Sequence, residues 1–94
     1  MITEKQFSQQ VVDLGHLYGW LIYRTWRSIH SPAGFPDLVM VRPPRLIFAE
    51  LKSEKGKLTS VQEEWLARLG MLSACEVFLW RPDDFEDIVE VLKA

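Results

Sequence analysis

Gly34-Phe35-Pro36-Asp37-Leu38-Val39-Met40-Val41-Arg42-Pro43-Pro44-Arg45-Leu46-Ile47-Phe48-Ala49-Glu50-Leu51-Lys52 is the stretch on which the reading of this chain turns. Two nearly unbroken apolar runs, Leu38 to Val41 and Leu46 to Leu51, flank an Arg-Pro-Pro-Arg connection. They read as a second and third strand joined by a tight turn and covered on both faces. A connection from Arg42 to Arg45 is even in length and sets Val41 opposite Leu46, Val39 opposite Phe48 and Asp37 opposite Glu50. Opposed residues share a face with Cβ atoms about 4.5–5.5 Å apart, and the two-residue strand period adds Lys52 to that face. An odd connection would shift the pairing by one residue and scatter the group. Two facing carboxylates repel one another unless a positive charge lies between them, which makes Asp37, Glu50 and Lys52 a candidate cation site.

Outward from this hairpin the chain divides cleanly. Thr3 and Gln6 stand in capping-box spacing ahead of Phe7, Val11, Leu14 and Leu17, whose steps of three and four predict a helix from Thr3 to about Leu17, stopped by Gly15 or Gly19. Trp20 to Trp26 is aromatic and β-branched enough for a first strand, and Ser28 to Gly34 reads as a polar loop leading into Asp37. Beyond Lys52, Ser53-Glu54-Lys55-Gly56-Lys57 is a charged loop, and Thr59 with Gln62 forms a second capping box ahead of Val61, Trp65, Leu66 and Leu69. Glu76 to Trp80 reads as the fourth strand. Pro82 to Leu92 reads as a last helix, with Asp83 as N-cap and Phe85, Ile88, Val89 and Leu92 facing inward. The order is αβββαβα, an α/β domain on a mixed sheet without repeats, linkers or low-complexity tracts.

Ninety-four residues, 48% of them hydrophobic, support one core and a single domain spanning 1–94. No run approaches the roughly 20 apolar residues of a membrane span, and Thr3-Glu4-Lys5-Gln6 interrupts any leader-like start. The expectation is a soluble, cytoplasmic protein with no membrane partner. Cys75 has no partner for an internal disulfide and reads as a small apolar side chain. The net charge is -2, yet residues 24–57 carry +4 while residues 58–94 carry -5. The positive stretch surrounds Asp37 and Glu50, which suggests a phosphate-facing side on an otherwise acidic domain.

The residue types at the hairpin specify a chemistry. Carboxylates hold hard cations such as Mg²⁺ or Mn²⁺, which prefer oxygen to nitrogen or sulfur. Lys52 is placed to orient or deprotonate a water on that ion and to offset negative charge in a transition state. No Ser, Cys or Tyr is placed by motif to act as a nucleophile, so direct hydrolysis is expected. Candidate phosphate contacts are Arg24, Arg27, Arg42, Arg45, Lys55 and Lys57, with His30 and Ser31 in the loop before Asp37; taken singly, each reads first as a solvated polar group. His16 reads as structural. Trp20, Trp26, Trp65 and Trp80 sit in strand and helix settings that favour packing over base stacking.

Gly34-Phe35-Pro36-Asp37-Leu38, Glu50-Leu51-Lys52 and the downstream Gln62 with Trp65 together resemble the VRR-NUC domain of the PD-(D/E)XK nuclease superfamily, over nearly the whole chain. Glu-x-Lys alone is a weak signal; the joint pattern is strong. The resemblance implies a PD-(D/E)XK, restriction-endonuclease-like core. It also implies a metal-dependent DNA endonuclease, structure-selective on branched DNA such as Holliday junctions. Stand-alone members come from phages and bacteria and act as homodimers, and larger relatives carry the domain in DNA-repair nucleases. By the same resemblance the Leu51 backbone carbonyl adds a metal oxygen, Gln62 sits beside the site to hold Lys52 or the water, and Glu4 binds metal through water. A capping box explains Gln62 equally well, and helix-dipole stabilisation explains Glu4. The competing readings are a flap- or end-directed nuclease and a non-catalytic DNA- or protein-binding module on the same fold. Loss of Asp37 or Lys52 would mark that module, and both are present.

Overall fold

The first helix forms because Thr3 completes both halves of its cap: Gln6 N donates to Thr3 Oγ1 at 3.0 Å and Thr3 N donates to Gln6 Oε1 at 2.9 Å. This helix, α1, spans Glu4–Leu17 in a computed structural model that describes residues 2–25 and 31–94. Strands β1 (Leu21–Arg24), β2 (Leu38–Arg42) and β3 (Arg45–Leu51) follow, then α2 (Ser60–Gly70), β4 (Glu76–Trp80), a 3₁₀ turn at Pro82–Asp84 and α3 (Phe85–Lys93). The sheet runs β1-β2-β3-β4, antiparallel except for the β3–β4 pair. Parallel neighbours cannot be joined by a hairpin, and α2 supplies the crossover. The element order and the mixed sheet are those expected from the sequence.

The hairpin register is also the expected one, with Val41 opposite Leu46, Val39 opposite Phe48 and Leu38 opposite Ala49. Arg42 itself pairs with Arg45, so the connection narrows to Pro43-Pro44, joined by a cis peptide bond. The loop stays even, which is what the parity of the site requires.

Alternation sorts the sheet into two unlike faces. Leu38, Met40, Ile47, Ala49, Leu51 and Trp80 pack against Phe7, Val11 and Val12 of α1 and Ile88 and Leu92 of α3, forming the buried core. The other face, with Phe48 and Glu50, is met by α2 through Phe35, whose ring stands edge-on to Phe48 at 5.9 Å and to Trp65 at 5.1 Å. Cover by α2 is incomplete, so β2 is not closed on both faces as its apolar run suggested: Val41 is exposed, as are Leu21 and Tyr23 on the adjoining β1.

Local expectations fail where tertiary packing overrides them. Gly15 lies inside α1 rather than ending it, because the helix passes so near the sheet that a Cβ there would fall 2.6 Å from Ile22 Cδ1 and 2.8 Å from Met40 Cε. The turn out of α1 is made by Gly19, at φ +84. The first strand is shorter than Trp20 to Trp26: Trp20 turns into the core and donates Nε1–H to the Leu92 carbonyl at 2.9 Å, and Trp26 lies outside the described residues. Asp83 is not the cap of the last helix. The Asp84 carboxylate accepts from Arg81 N at 2.8 Å instead, and a 3₁₀ turn precedes α3. Among the described residues no helix is long and apolar enough to cross a membrane.

Candidate active site

The register carries Asp37, one residue before β2, and Glu50, within β3, to the same end of the sheet. Asp37 is held on two sides. Its carbonyl accepts from Thr25 N at 2.9 Å, prolonging the β1–β2 ladder, and its Oδ2 accepts from Leu51 N at 2.8 Å. Thr25 Oγ1 donates to the preceding Pro36 carbonyl at 2.7 Å, so this loop end cannot swing away from the strands. Gly34 sets the approach: at φ +96 it runs against the first turn of α2, where a Cβ would lie 2.5 Å from Val61 Cγ1 and 2.9 Å from the Val61 carbonyl carbon. Gly34→Ala therefore strains the backbone and collides with main chain, with an expected loss of about 2–4 kcal/mol in urea denaturation. A variant within about 0.5 kcal/mol of the parent would show that the contact is not needed.

Glu50 is the unusual group. It is 2% exposed, and its Oε1 has no hydrogen-bond partner. Burial first, and the neighbouring Asp37 carboxylate second, push its carboxyl up to about 8, against the opposing pull of Lys52. Lys52 Nζ stands 4.0 Å from Glu50 Oε2, with its side chain only 14% exposed. A buried acid with an orphan oxygen beside a second carboxylate is costly in an apoprotein, by a few kcal/mol. The same donor set fits a hard divalent cation, which needs several oxygens and concentrated negative charge. Among the described residues no third Asp, Glu, His or Cys joins the pair as a metal-ligating cluster.

A cleft of about 260 Å³ opens at Asp37, lined by Glu4, Lys5 and Ser8 of α1, by Arg24 and Thr25, and by Leu38 and Leu51. Glu4 and Leu51 thus share the cleft with Asp37. Arg24 reaches it with its guanidinium held by Ser8 Oγ at 3.0 Å and Gln9 Oε1 at 3.1 Å.

The VRR-NUC domain family matches residues 4–80, a span that takes in Glu4, the whole hairpin, Lys52, Gln62 and the fourth strand. The chain belongs to the VRR-NUC family. No curated protein matches the sequence. Among solved structures, Hjc, a Holliday junction resolvase from the archaeal hyperthermophile Archaeoglobus fulgidus, superposes with a TM-score of 0.62 at 20% identity, covering 83% of this chain and 69% of that one. At that identity the likeness is one of fold: this VRR-NUC domain shares the architecture of Hjc.

Within the domain the remaining sequence candidates separate. Gln62 Oε1 accepts from Thr59 N at 3.0 Å, so its carbonyl serves the helix cap. Lys55 and Lys57 are exposed in the loop after Lys52, and Ser31 is exposed before Gly34. Arg27 and His30 lie outside the described residues. Arg42 and Arg45 are engaged within the protein. They sit at the hairpin end of the sheet, away from Asp37, with guanidiniums 4.6 and 4.9 Å from the Trp20 ring centroid. Arg42 donates to the Tyr18 and Leu92 carbonyls at 3.0 and 2.8 Å, and Arg45 to Val91 O at 2.8 Å. Arg45 also grips both oxygens of Glu76 at 2.8 and 2.7 Å, which lowers the glutamate's pKa and raises the arginine's. Sequence reading missed Lys5 and Ser8. Their placement beside Glu4 and one turn beyond it was the available signal.

Proposed function

We propose that this VRR-NUC domain is a Mg²⁺- or Mn²⁺-dependent endonuclease that hydrolyses phosphodiester bonds in branched DNA, four-way junctions among them. The observation that carries the reading is the buried Glu50 carboxylate, with one oxygen unpartnered, between Asp37 and Lys52. Asp37, Glu50 and the Leu51 carbonyl would hold the cation, with Glu4, which lines the same cleft as Asp37, reaching it through water. Bound there, the ion supplies Lewis acidity and neutralises the crowded carboxylates. Leu51 N–H fixes the Asp37 carboxylate through Oδ2, so its orientation is set before a cation binds. Lys52 orients the attacking water and offsets charge growing on the phosphate. Lys5 and Arg24 at the cleft and Lys55 and Lys57 on the adjoining loop supply phosphate contacts.

The shared fold with Hjc supports the choice of branched DNA. A homodimer presenting two sites is supported by Leu21 and Tyr23, exposed at 74% and 63%, which share a sheet face with exposed Val41. A monomer in light scattering that cuts junctions fully would sink the dimer. The function itself is tested with labelled four-way junction, flap, duplex and single-stranded DNA in Mg²⁺, Mn²⁺ or EDTA. Metal-dependent cleavage favouring the junction is expected. Binding without cutting in every metal would replace the nuclease by a non-catalytic DNA-binding module.

A further inference from the structure

Arg81 lies outside every motif above, on the residue after β4, yet its guanidinium reaches into the loop that follows Lys52. Nη1 donates to the Ser53 and Gly56 carbonyls, each at 2.6 Å, with the Glu54 carbonyl at 3.4 Å. Two bonds from backbone N–H groups brace the same junction: Lys52 N donates to the Trp80 carbonyl at 3.0 Å, and Asp83 N donates to the side-chain Oε1 of Glu54 at 2.6 Å. Gly56 N closes the turn onto Ser53 O at 3.2 Å. The turn then lies along Lys52, since a Cβ on Gly56 would be 3.4 Å from Lys52 Cδ. One guanidinium therefore gathers the carbonyls of a turn whose backbone flanks the stem of Lys52 and whose exposed side chains include Lys55. A charged donor on neutral carbonyls is among the stronger hydrogen bonds available, and here one guanidinium nitrogen serves all three acceptors.

We propose that Arg81 is a positioning residue, holding the Ser53–Gly56 turn so that Lys52 points at the Asp37–Glu50 pair and Lys55 and Lys57 face phosphate. The proposal rests on the nuclease reading for Lys52. Its binding half, the presentation of Lys55 and Lys57, stands on DNA affinity alone.

The test compares wild type, Arg81→Ala and, as a control of similar structural weight at the opposite end of the sheet, Arg45→Ala. All are assayed at a temperature where circular dichroism shows them folded. Single-turnover cleavage of a four-way junction by Arg81→Ala should fall about 30-fold or more, as expected when a catalytic group is misplaced by about 1 Å. Its log-affinity for the same DNA in EDTA should depend less steeply on log salt, the slope shallower by about 1–2. Arg45→Ala should stay within about twofold of wild type in rate and keep the slope. A folded Arg81→Ala that cuts and binds like wild type overturns the proposal, as does an equal loss in Arg45→Ala. If Arg81→Ala does not fold, Arg81→Gln, which keeps a donor but not the fork, takes its place under the same criteria. A wild-type protein that binds but never cuts would instead defeat the nuclease reading, leaving the salt slope to decide the role of Arg81.

Discussion

Lys52→Ala is expected to lower single-turnover DNA cleavage by about 10²–10³-fold or more while changing DNA affinity by less than about tenfold. The reason is placement. Lys52 is one ammonium among several basic groups available to bind phosphate, but it is the one that stands 4.0 Å from Glu50, mostly out of solvent, where a charge is worth more than on the surface. Its removal also deprives Glu50 of a neighbouring positive charge that favours ionisation, so the pKa of that carboxyl rises further. Whatever cleavage survives should need a higher pH or more metal. Lys52→Arg should not restore the rate, because a planar, weakly hydrated guanidinium does not reproduce a compact ammonium. Cleavage by Lys52→Ala within about fivefold of wild type would remove this lysine from the mechanism.

Glu50→Gln should have the largest effect on the coupling between pH, metal and stability. An unfolded glutamate titrates near 4.5, whereas Glu50 in the fold is held up to about 8. Between those values the metal-free native state binds a proton that the unfolded chain releases. Its contribution to stability is therefore fully present below about pH 4.5, shrinks as pH rises, and is gone once pH passes 8. The amount at stake is on the order of a few kcal/mol. Mg²⁺ or Mn²⁺ should act in the opposite sense: held by the ionised carboxylate of the native state alone, it would raise Tm more as pH approaches 8. Glutamine keeps the shape and cannot ionise. The variant should show a flatter stability profile between pH 5 and 8, no rise in Tm with metal, and cleavage lowered by about 10³-fold. A Glu50→Gln protein that keeps the metal-induced rise in Tm would show that the cation binds elsewhere.

Both variants act on residues that were legible from the hairpin alone. The even spacing between Val41 and Leu46 was sufficient to set the register, and the register brings Asp37 and Glu50 to one end of the sheet. Two capping boxes read from Thr3 with Gln6 and Thr59 with Gln62 are both formed, since capping is decided within four residues. What could not be read is nonlocal. Gly15 resembled a helix stop until the sheet packed against it, and nothing local to Arg42 and Arg45 announced the α3 carbonyls that hold them. Lys5 and Ser8 gain meaning from the fold that sets α1 beside Asp37. The burial of Glu50, which supplies the strongest indication of a cation site, is likewise a property of the packed sheet and invisible in the composition of its neighbours.

The clamp at the hairpin end suggests how the molecule can be handled. Trp20 and Arg42 both donate to the carbonyl of Leu92, and Arg45 to that of Val91, so the last turn of α3 is stapled to the end of the sheet remote from Asp37. A fluorophore, surface tether or fusion partner joined after Ala94 would leave from that stapled end. Immobilised this way, the molecule would present its cleft to solution, an orientation suited to watching single DNA molecules arrive and depart.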